Sequence, residues 1–487
     1  MRRKLEALTA AGALVAAVSL GACSTTADPA ATVGGTSPQP ATAAAPAGDP
    51  FEERVAAIVK SRILDEGVPS VSVAVLRDGK MLLERAWGVA DTEKNVRASP
   101  TTVYPTGSVT KQFTAALLLK QVERGRLALS DPIGQHLSGL PPEAAAVTVE
   151  QLLNHTSGLQ RPAAVPAQRL EEVSRETLLT MVVGDKLATT PGTKFEYSNA
   201  GYTVLGILIE KLYGTSYAAA LHDEIAAPLG LTTLTKCGEP KPEHAAGYFR
   251  NANGTIAPPP GLHHSQALGA DGVCATAADL VRWTHALHGG RVLSDASYRA
   301  MTTPRGAAVA SDYGFGLAVR PAEWGDQAII HGGQALTGHA AELQWYPEHK
   351  LAVALLYNVV PRLPDVADAI PRIVLGVPLA ERKPAPAEAA PQAAPPSAPA
   401  TPAERANFAG VYALPSHVTA EVTLENGQLY ATPPGGGKQP LIFRSGNTYA
   451  LGSAESTTTI TFLIENGTVT GFEANANGSK RILKKIQ

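Results

Sequence analysis

Apolar residues alternate with small ones early in the chain and predict an antiparallel hairpin. Valine occupies every second position from 71 to 75, and a period of two is typical of a strand. Asp78-Gly79 follows as a hairpin turn signal, after which apolar residues resume. Two similar stretches lie far downstream. The strands predicted for this region cover 70–77, 81–89, 340–347 and 351–358.

The hydrophobic spacing becomes helical after Gly107. Apolar residues including Phe113 and Leu117 recur at intervals of three and four, and the run stops at Gly125. Ser108 opens this predicted helix. The helix dipole and the unpaired N–H groups of a first turn favour developing negative charge at that position.

A change in composition divides the chain into domains. Residues 51–380 are long enough for a large core, whereas 381–403 are rich in Pro and Ala and predict a semi-stiff linker. Residues 404–487 contain short β segments separated by Asn-Gly and Gly-Gly turns, which predict a small antiparallel barrel or sandwich. These segments are 419–424, 428–432, 448–451, 458–464, 468–473 and 481–486.

The N-terminal residues have the pattern of a targeting segment. Residues 1–22 join a basic start to a short apolar core, as in a lipoprotein signal peptide, and the core ends in Leu-Gly-Ala-Cys. This ending resembles the bacterial lipobox, in which Cys23 receives lipid; a plain signal peptide with a chance cysteine is the alternative. Residues 23–50 predict a flexible tether. We expect a lipid-anchored, periplasmic protein of the bacterial envelope, in the outer membrane if the host is Gram-negative.

The remaining cysteines, the net charge and the histidine pairs indicate which bonds and ligands to expect. Cys237 and Cys274 would pair outside the cytoplasm; two buried free thiols are the alternative. A net charge of −2 without a basic cluster gives no reason to expect nucleic-acid binding. The histidine pairs, which no cysteine or carboxylate cluster accompanies, predict neither a metal site nor another cofactor. These pairs are His263-His264 and His285 with His288.

Ser108 and Lys111 provide the first candidate chemistry. In a helix, residues three positions apart lie on one face, one turn from each other. A neutral, partly desolvated lysine amine can take the proton of a serine hydroxyl and make it a nucleophile towards carbonyl carbons. The alternative is that Ser108 caps the helix and Lys111 is a solvated helix residue.

Two later segments add to this pair. Tyr197 and Asn199 lie two residues apart before a predicted helix that runs to residue 213, and His331-Gly332-Gly333 interrupts an extended stretch. Together with Ser-x-x-Lys, this order resembles the serine β-lactamase and penicillin-binding-protein family. With tyrosine opening the second motif, the chain is most similar to the branch of class C β-lactamases, D-alanyl-D-alanine carboxypeptidases and esterases. Residues 148–159 and 228–231 also resemble sequence segments that are typical of the family.

The resemblance implies a fold and a set of roles. The fold is α/β (α+β), an antiparallel sheet flanked by helices with an all-helical lobe at about 125–270, and the site lies between sheet and lobe. Ser108 becomes the nucleophile of an acyl-enzyme, and Lys111 and Tyr197 share general base and acid work. Asn199, His331, Gly332, Gly333 and Gln334 bind substrate. The backbone N–H groups of Ser108 and Gln334 hold the oxyanion.

His331 departs from the family pattern and affects the expected substrate. Class C β-lactamases have lysine here, which binds the carboxylate of their substrates, whereas histidine is mostly neutral at pH 7. The sequence therefore favours an envelope serine hydrolase that cleaves an ester, an amide or a D-amino-acid peptide bond, including peptidoglycan-derived ones. A class C-like β-lactamase and a non-catalytic cell-wall-binding lipoprotein are the alternatives. We expect Asn154-His155 to be structural.

Overall fold

The computed structural model describes residues 50–380 and 402–486, apart from short internal stretches. The stretches left out are 160–171, 184–185, 239–242, 251–254, 260–262, 361–366, 414–418, 433–437, 446, 454–455, 457, 466–467 and 477–478. The predicted signal peptide and tether up to residue 49, including Cys23, lie outside the described residues. The same holds for the predicted linker up to residue 401. Below, residues 50–380 are called the large domain and residues 402–486 the barrel domain.

A seven-stranded antiparallel sheet forms the centre of the large domain, in the order β3-β2-β1-β12-β11-β10-β9. β12 is the middle strand of this order, and its neighbour β1 is buried along almost its whole length, as its run of apolar and small residues requires. All four strands predicted here belong to this sheet, and those distant in sequence pair directly. The strands are β1 (Ser70–Arg77), β2 (Lys80–Asp91), β3 (Val96–Arg97), β9 (Ala318–Pro321), β10 (Gln327–Ala335), β11 (His339–Tyr346) and β12 (Leu351–Tyr357).

Helices cover both faces of the sheet. On one face α2 (Thr110–Glu123) and α9 (Ala277–His288) form the main core, where the Phe113 and Trp283 rings lie 4.5 Å apart. On the other face α1 (Pro50–Arg62) and the helix Ala369–Leu375 bury a second apolar cluster. The alternating valines of β1 face this second cluster, so the period of two in the sequence reflects a sheet buried on both sides.

The lobe beside the sheet is mainly helical, as predicted, and also contains short strands. Its helices are α3 (Pro142–Ala145), α4 (Val149–Leu153), α5 (Arg175–Val183), α6 (Asn199–Tyr213), α7 (Tyr217–Leu221) and α8 (Ala227–Leu229), and α10 (Asp295–Thr302) follows α9. The short strands are β4 (Tyr104–Pro105), β5 (Thr235–Lys236), β6 (Tyr248–Arg250), β7 (Ile256–Ala257), β8 (Val273–Ala275) and β13 (Val359–Val360). The prediction of an all-helical lobe at about 125–270 missed β5, β6 and β7, because runs of two or three residues carry no measurable period.

The barrel domain is a closed barrel, which decides between the two predicted β architectures. The helix Pro402–Phe408 precedes it, and the Phe408 ring stacks on the ring of Phe462 at 4.2 Å in the barrel interior. The strands are β14 (Gly410–Ala413), β15 (Thr419–Glu425), β16 (Gln428–Thr432), β17 (Gln439–Ser445), β18 (Thr448–Leu451), β19 (Thr459–Glu465), β20 (Thr468–Ala476) and β21 (Ser479–Lys485). β14 and β17 were not predicted.

A disulfide joins Cys237 to Cys274, with 5.1 Å between their Cα atoms. It connects β8 to the residue that follows β5, the strand next to β8. Of the two alternatives for these cysteines, the structure therefore contains the bonded one. Within the described part of the chain, every helix is too short or too polar to cross a membrane.

Candidate active site

The Lys111 amine joins the first two motifs. Its Nζ lies 3.0 Å from Ser108 Oγ, 2.9 Å from Asn199 Oδ1 and 2.8 Å from the carbonyl oxygen of Ala270. The side chain is fully buried, whereas a solvated lysine would point outwards. The structure thus contradicts the alternative of a solvated helix residue. Ser198, which precedes Asn199, caps α6 by accepting a hydrogen bond from the Gly201 N–H, and this fixes where Asn199 begins the helix.

A tight turn presents Ser108 to the cleft. The serine lies in a single 3₁₀ turn, Gly107–Val109, directly before α2 rather than in the first turn of that helix. Gly107 has a φ of +56°, and a Cβ on it would come within 2.6 Å of the Gln334 nitrogen. Only glycine fits here, because the backbone is left-handed and β10 passes against it.

Gly333 makes the matching close approach from β10. A Cβ at this position would lie 2.0 Å from the Thr106 carbonyl oxygen and 3.0 Å from the Ser108 nitrogen. β9 pairs with β10 only from Gln327 to Ile330, so the edge of β10 from His331 onwards faces the turn that carries Ser108. The glycine pair that interrupts the extended stretch therefore lies against a specific partner, the backbone of the turn that carries Ser108.

Tyr197 lies against the same amine. Lys111 Nζ is 4.9 Å from the centre of the Tyr197 ring, and the tyrosine hydroxyl makes no hydrogen bond to any other described residue. The hydroxyl is therefore free to meet a substrate. Asn199, the other residue of this motif, is the first residue of α6 rather than part of an extended segment.

His155 supports Tyr197 from behind. The two rings are 4.3 Å apart, and His155 Nδ1 accepts a hydrogen bond from the Ser198 N–H at 3.1 Å. Burial, and then the charges of Lys111 and His331, hold the pKa of His155 well below its usual value. A neutral, buried imidazole that fixes the second motif agrees with the structural role expected from the sequence.

Both ring nitrogens of His331 form hydrogen bonds to other groups of the protein. Nδ1 donates to the carbonyl oxygen of Gly332 at 2.7 Å, and Nε2 lies 2.9 Å from the hydroxyl of Tyr313. Burial raises the pKa of Tyr313 well above its usual value, so this phenol keeps its proton and can donate it to Nε2. Such a pair suits a neutral imidazole. The exposed side chain of this motif is that of Gln334.

A cavity of about 190 Å³ opens beside Ser108. Helices α5 and α6 and the loop before β8 provide most of its wall, and Asn199 and Gln334 lie at its edge. Asp271 also lines it, a residue that sequence reasoning did not select. Among the described residues, no group of histidine, cysteine and carboxylate side chains could hold a metal ion. His263 and His264 instead contact each other, and His288 stacks on Trp345.

The fold is of the β-lactamase and transpeptidase type, with helices packed on an antiparallel sheet. The family model described as "Beta-lactamase" matches residues 51–377, and the chain belongs to this family. The match ends before the predicted linker, so it covers the large domain alone.

The individual relatives have low sequence identity to this chain. The protein flp of Staphylococcus aureus (strain MW2) is 31% identical over 211 residues, which is 40% of this chain and 41% of that protein. The alignment thus spans less than half the length of this curated relative. A D-stereospecific amidohydrolase from Streptomyces sp. is 25% identical with a TM-score of 0.56, covering 63% of this chain and 94% of that one. The octameric penicillin-binding protein homologue from Pyrococcus abyssi, 21% identical with a TM-score of 0.60 over 89% and 100%, shows the shared fold alone.

Proposed function

We propose that this protein is a serine acyl-hydrolase that forms an acyl-enzyme on Ser108 and cleaves an amide, an ester or a D-amino-acid peptide bond. The observation that carries the proposal is the 3.0 Å contact between Lys111 Nζ and Ser108 Oγ in a buried setting. A non-catalytic wall-binding protein would have no need of a buried amine against a serine hydroxyl. Membership of the β-lactamase family and the fold shared with an amidohydrolase also support hydrolysis.

The contacts of the amine suggest the first proton transfer. Asn199 Oδ1 and the Ala270 carbonyl oxygen take up two N–H bonds, so the third position of the nitrogen faces Ser108. In the neutral amine this position is a lone pair. The Ser108 hydroxyl gives its proton to it as Oγ attacks the substrate carbonyl carbon, and the carbonyl electrons move to the oxygen.

The remaining steps use the same groups. The N–H groups of Ser108 and Gln334, brought together by the two close glycine contacts, would stabilise the oxyanion. When the tetrahedral intermediate collapses, the leaving amine or alcohol takes a proton from the Lys111 ammonium or, through it, from the Tyr197 hydroxyl. Water then gives a proton to this pair as its oxygen attacks the acyl carbonyl carbon. When the second tetrahedral intermediate collapses, the pair returns that proton to Ser108 Oγ and the acid is released.

The surroundings of His331 favour this reading over a class C-like β-lactamase. β-Lactams and acyl-D-alanine termini carry a carboxylate, and a neutral imidazole bonded to Tyr313 and Gly332 offers it no fixed positive charge. The envelope location and the lipid on Cys23 are a separate part of the proposal. They rest on residues 1–23 of the sequence, which lie outside the described residues.

A labelling experiment tests the proposal. The purified protein is treated with a fluorophosphonate and digested, and we expect the adduct on the peptide that contains Ser108. Ser108→Ala should abolish labelling and lower kcat by roughly a thousandfold or more on whichever of nitrocefin, p-nitrophenyl esters and D-alanyl amides the protein cleaves. Ser138→Ala, an exposed serine of the lobe, is the matched control and should change neither. Unchanged turnover in Ser108→Ala would overturn the proposal, and efficient nitrocefin hydrolysis without esterase or amidase activity would favour the β-lactamase.

A further inference from the structure

Asp271 places a carboxylate in the cavity beside the nucleophile. The residue lies in the loop before β8, directly after Ala270, whose carbonyl oxygen binds the Lys111 amine. Both Asp271 and Ser108 line the cavity of about 190 Å³. The Asp271 side chain has no role in the proposed reaction.

The protein provides only some of the hydrogen bonds that the Asp271 carboxylate can accept. Oδ1 accepts a hydrogen bond of 2.5 Å from the Gly272 N–H, and within the described part of the chain Asp271 forms no ion pair. Lys111 directs its amine to Ser108, Asn199 and Ala270, and Lys236 donates to the carbonyl oxygens of His264 and Cys237. The nearby lysine amines therefore have other partners.

The setting of this carboxylate favours a cationic ligand. Burial raises the pKa of the Asp271 carboxyl, although the Gly272 N–H and the charges of Lys111 and Lys236 oppose the rise. Asp271 is half-buried, and a carboxylate that has lost part of its hydration is stabilised by an opposite charge. A ligand with a positive group would supply the pair, and a ligand with a carboxylate would be repelled.

The rest of the cavity indicates what the cation is attached to. Its wall is mostly apolar, and the apolar side chains that line it are Leu178, Val182, Leu268 and Leu336. The volume is below the range of about 300–1,000 Å³ that is usual for sites of drug-sized ligands. A small aliphatic acyl group with one ammonium group matches both the size and the chemistry.

We propose that Asp271 is a specificity-determining residue that binds the ammonium group of the substrate's acyl part, while the apolar wall holds its side chain. The substrate class is then the amides and esters of free amino acids and of short peptides with an unblocked amine. Asp271 takes no part in bond making or breaking. This inference rests on the proposed function, since it names the substrate of the same site.

A matched pair of substrates tests it in the full-length protein. Alanine p-nitroanilide and its N-acetyl derivative, each in D and L form, differ in the positive charge of the amine and in the acetyl group that removes it, and the comparison of wild type with Asp271→Asn separates the effect of charge from that of size. We expect the wild type to have the higher kcat/KM for the free amine, and Asp271→Asn to lower the ratio of the two values by about ten- to hundredfold, as loss of a charged hydrogen bond does. Asp223→Asn removes an exposed carboxylate and should leave the ratio unchanged.

Each outcome separates the possibilities. If Asp271→Asn slows both substrates equally, the carboxylate acts through Lys111 and the specificity inference is wrong. If the wild type cleaves free and acetylated substrates equally, the inference fails while the acyl-hydrolase proposal stands. If the wild type cleaves none of these compounds and Ser108 is not labelled, both fail. Thermal melting of Asp271→Asn identifies a fold defect, in which case Asp271→Glu, which keeps the charge, should retain the preference for the free amine.

Discussion

The two ends of the cleft use their polar side chains differently. At the Ser108 end, the Lys111 amine contacts Ser108, Asn199 and Ala270, which belong to segments distant in sequence. At the β10 end, the His331 ring turns to Tyr313 and to the carbonyl group of its neighbour. There the backbone, at Gly333, makes the close approach to the turn that carries Ser108.

The two ends of the cleft therefore offer different chemical groups: a titratable side chain at one end and backbone N–H groups at the other. Proton transfer needs a titratable side chain at hydrogen-bond distance, which the Lys111 end provides. Stabilising an oxyanion needs only fixed N–H groups, and a strand edge provides these without any particular side chain. The third motif of this chain therefore contributes backbone geometry more than side-chain charge.

Replacing Lys111 should have the largest effect. Lys111→Met keeps an apolar stem and removes the proton acceptor, so we expect kcat to fall by about a thousandfold or more on the best substrate. Lys120→Met, a partly exposed lysine later in the same helix, is the control and should keep its activity. Steady-state kinetics of the two variants make the comparison. Comparable rates for both would show that the amine is not the base.

The buried imidazoles should make stability depend on pH. Burial lowers the pKa of His339, in the β10–β11 hairpin, to about 4, and also holds down that of His155 behind Tyr197. Below an unfolded pKa of about 6.5 the unfolded chain binds protons that the folded protein does not. Stability is therefore full above pH 6.5 and falls with decreasing pH towards 4, by about 1.4 kcal/mol per pH unit and group.

Urea denaturation at several pH values measures this loss. We expect the free energy of unfolding of His339→Gln to fall less steeply with decreasing pH than that of the wild type, although the variant is less stable at pH 7. His222→Gln, in which an exposed histidine is changed, should follow the wild type. A wild-type midpoint that does not change between pH 7 and 4.5 would contradict the buried, neutral state of these rings.

Replacing His331 should have the smallest effect. In His331→Gln the amide can donate to the Gly332 carbonyl oxygen and accept from Tyr313, so we expect kcat/KM for neutral substrates to change by less than about tenfold. The ratio between carboxylate-bearing and neutral substrates should stay the same, because no cation has been removed. A selective loss on carboxylate-bearing substrates would show that His331 is charged during binding and would remove the contrast between the two ends.

Local patterns were enough to predict most of the framework. The period-two valines at 71–75 lie in β1, the helical run after Gly107 lies in α2, and the turn-divided segments of the last domain lie in the barrel. These signals work because burial of one or both faces fixes which positions are apolar. Three short motifs then predicted which segments come together, and the structure brings Ser108, Lys111 and Asn199 into contact.

The residues that were missed depend on contacts between distant segments. Ala270 acts through its carbonyl group, which no side-chain pattern reveals, and Asp271 stands alone in a glycine-containing loop without a spacing signal. Tyr313 meets His331 only because β10 and the loop before β9 fold together. Short strands such as β14 lack the length for a clear period. Each of these features is set by tertiary packing, which a single sequence does not encode at fixed spacing.

The close approach of β10 also bears on how this site can evolve. A methyl group at Gly333 would collide with Thr106, so this position tolerates no side chain, whereas Gln334 is exposed at the edge of the cavity and contributes its backbone N–H to the proposed reaction. In the proposed reaction, the side chain at position 334 can therefore change with the substrate while the backbone N–H that would hold the oxyanion stays in place. Relatives that differ in substrate should keep the glycine and differ beside it.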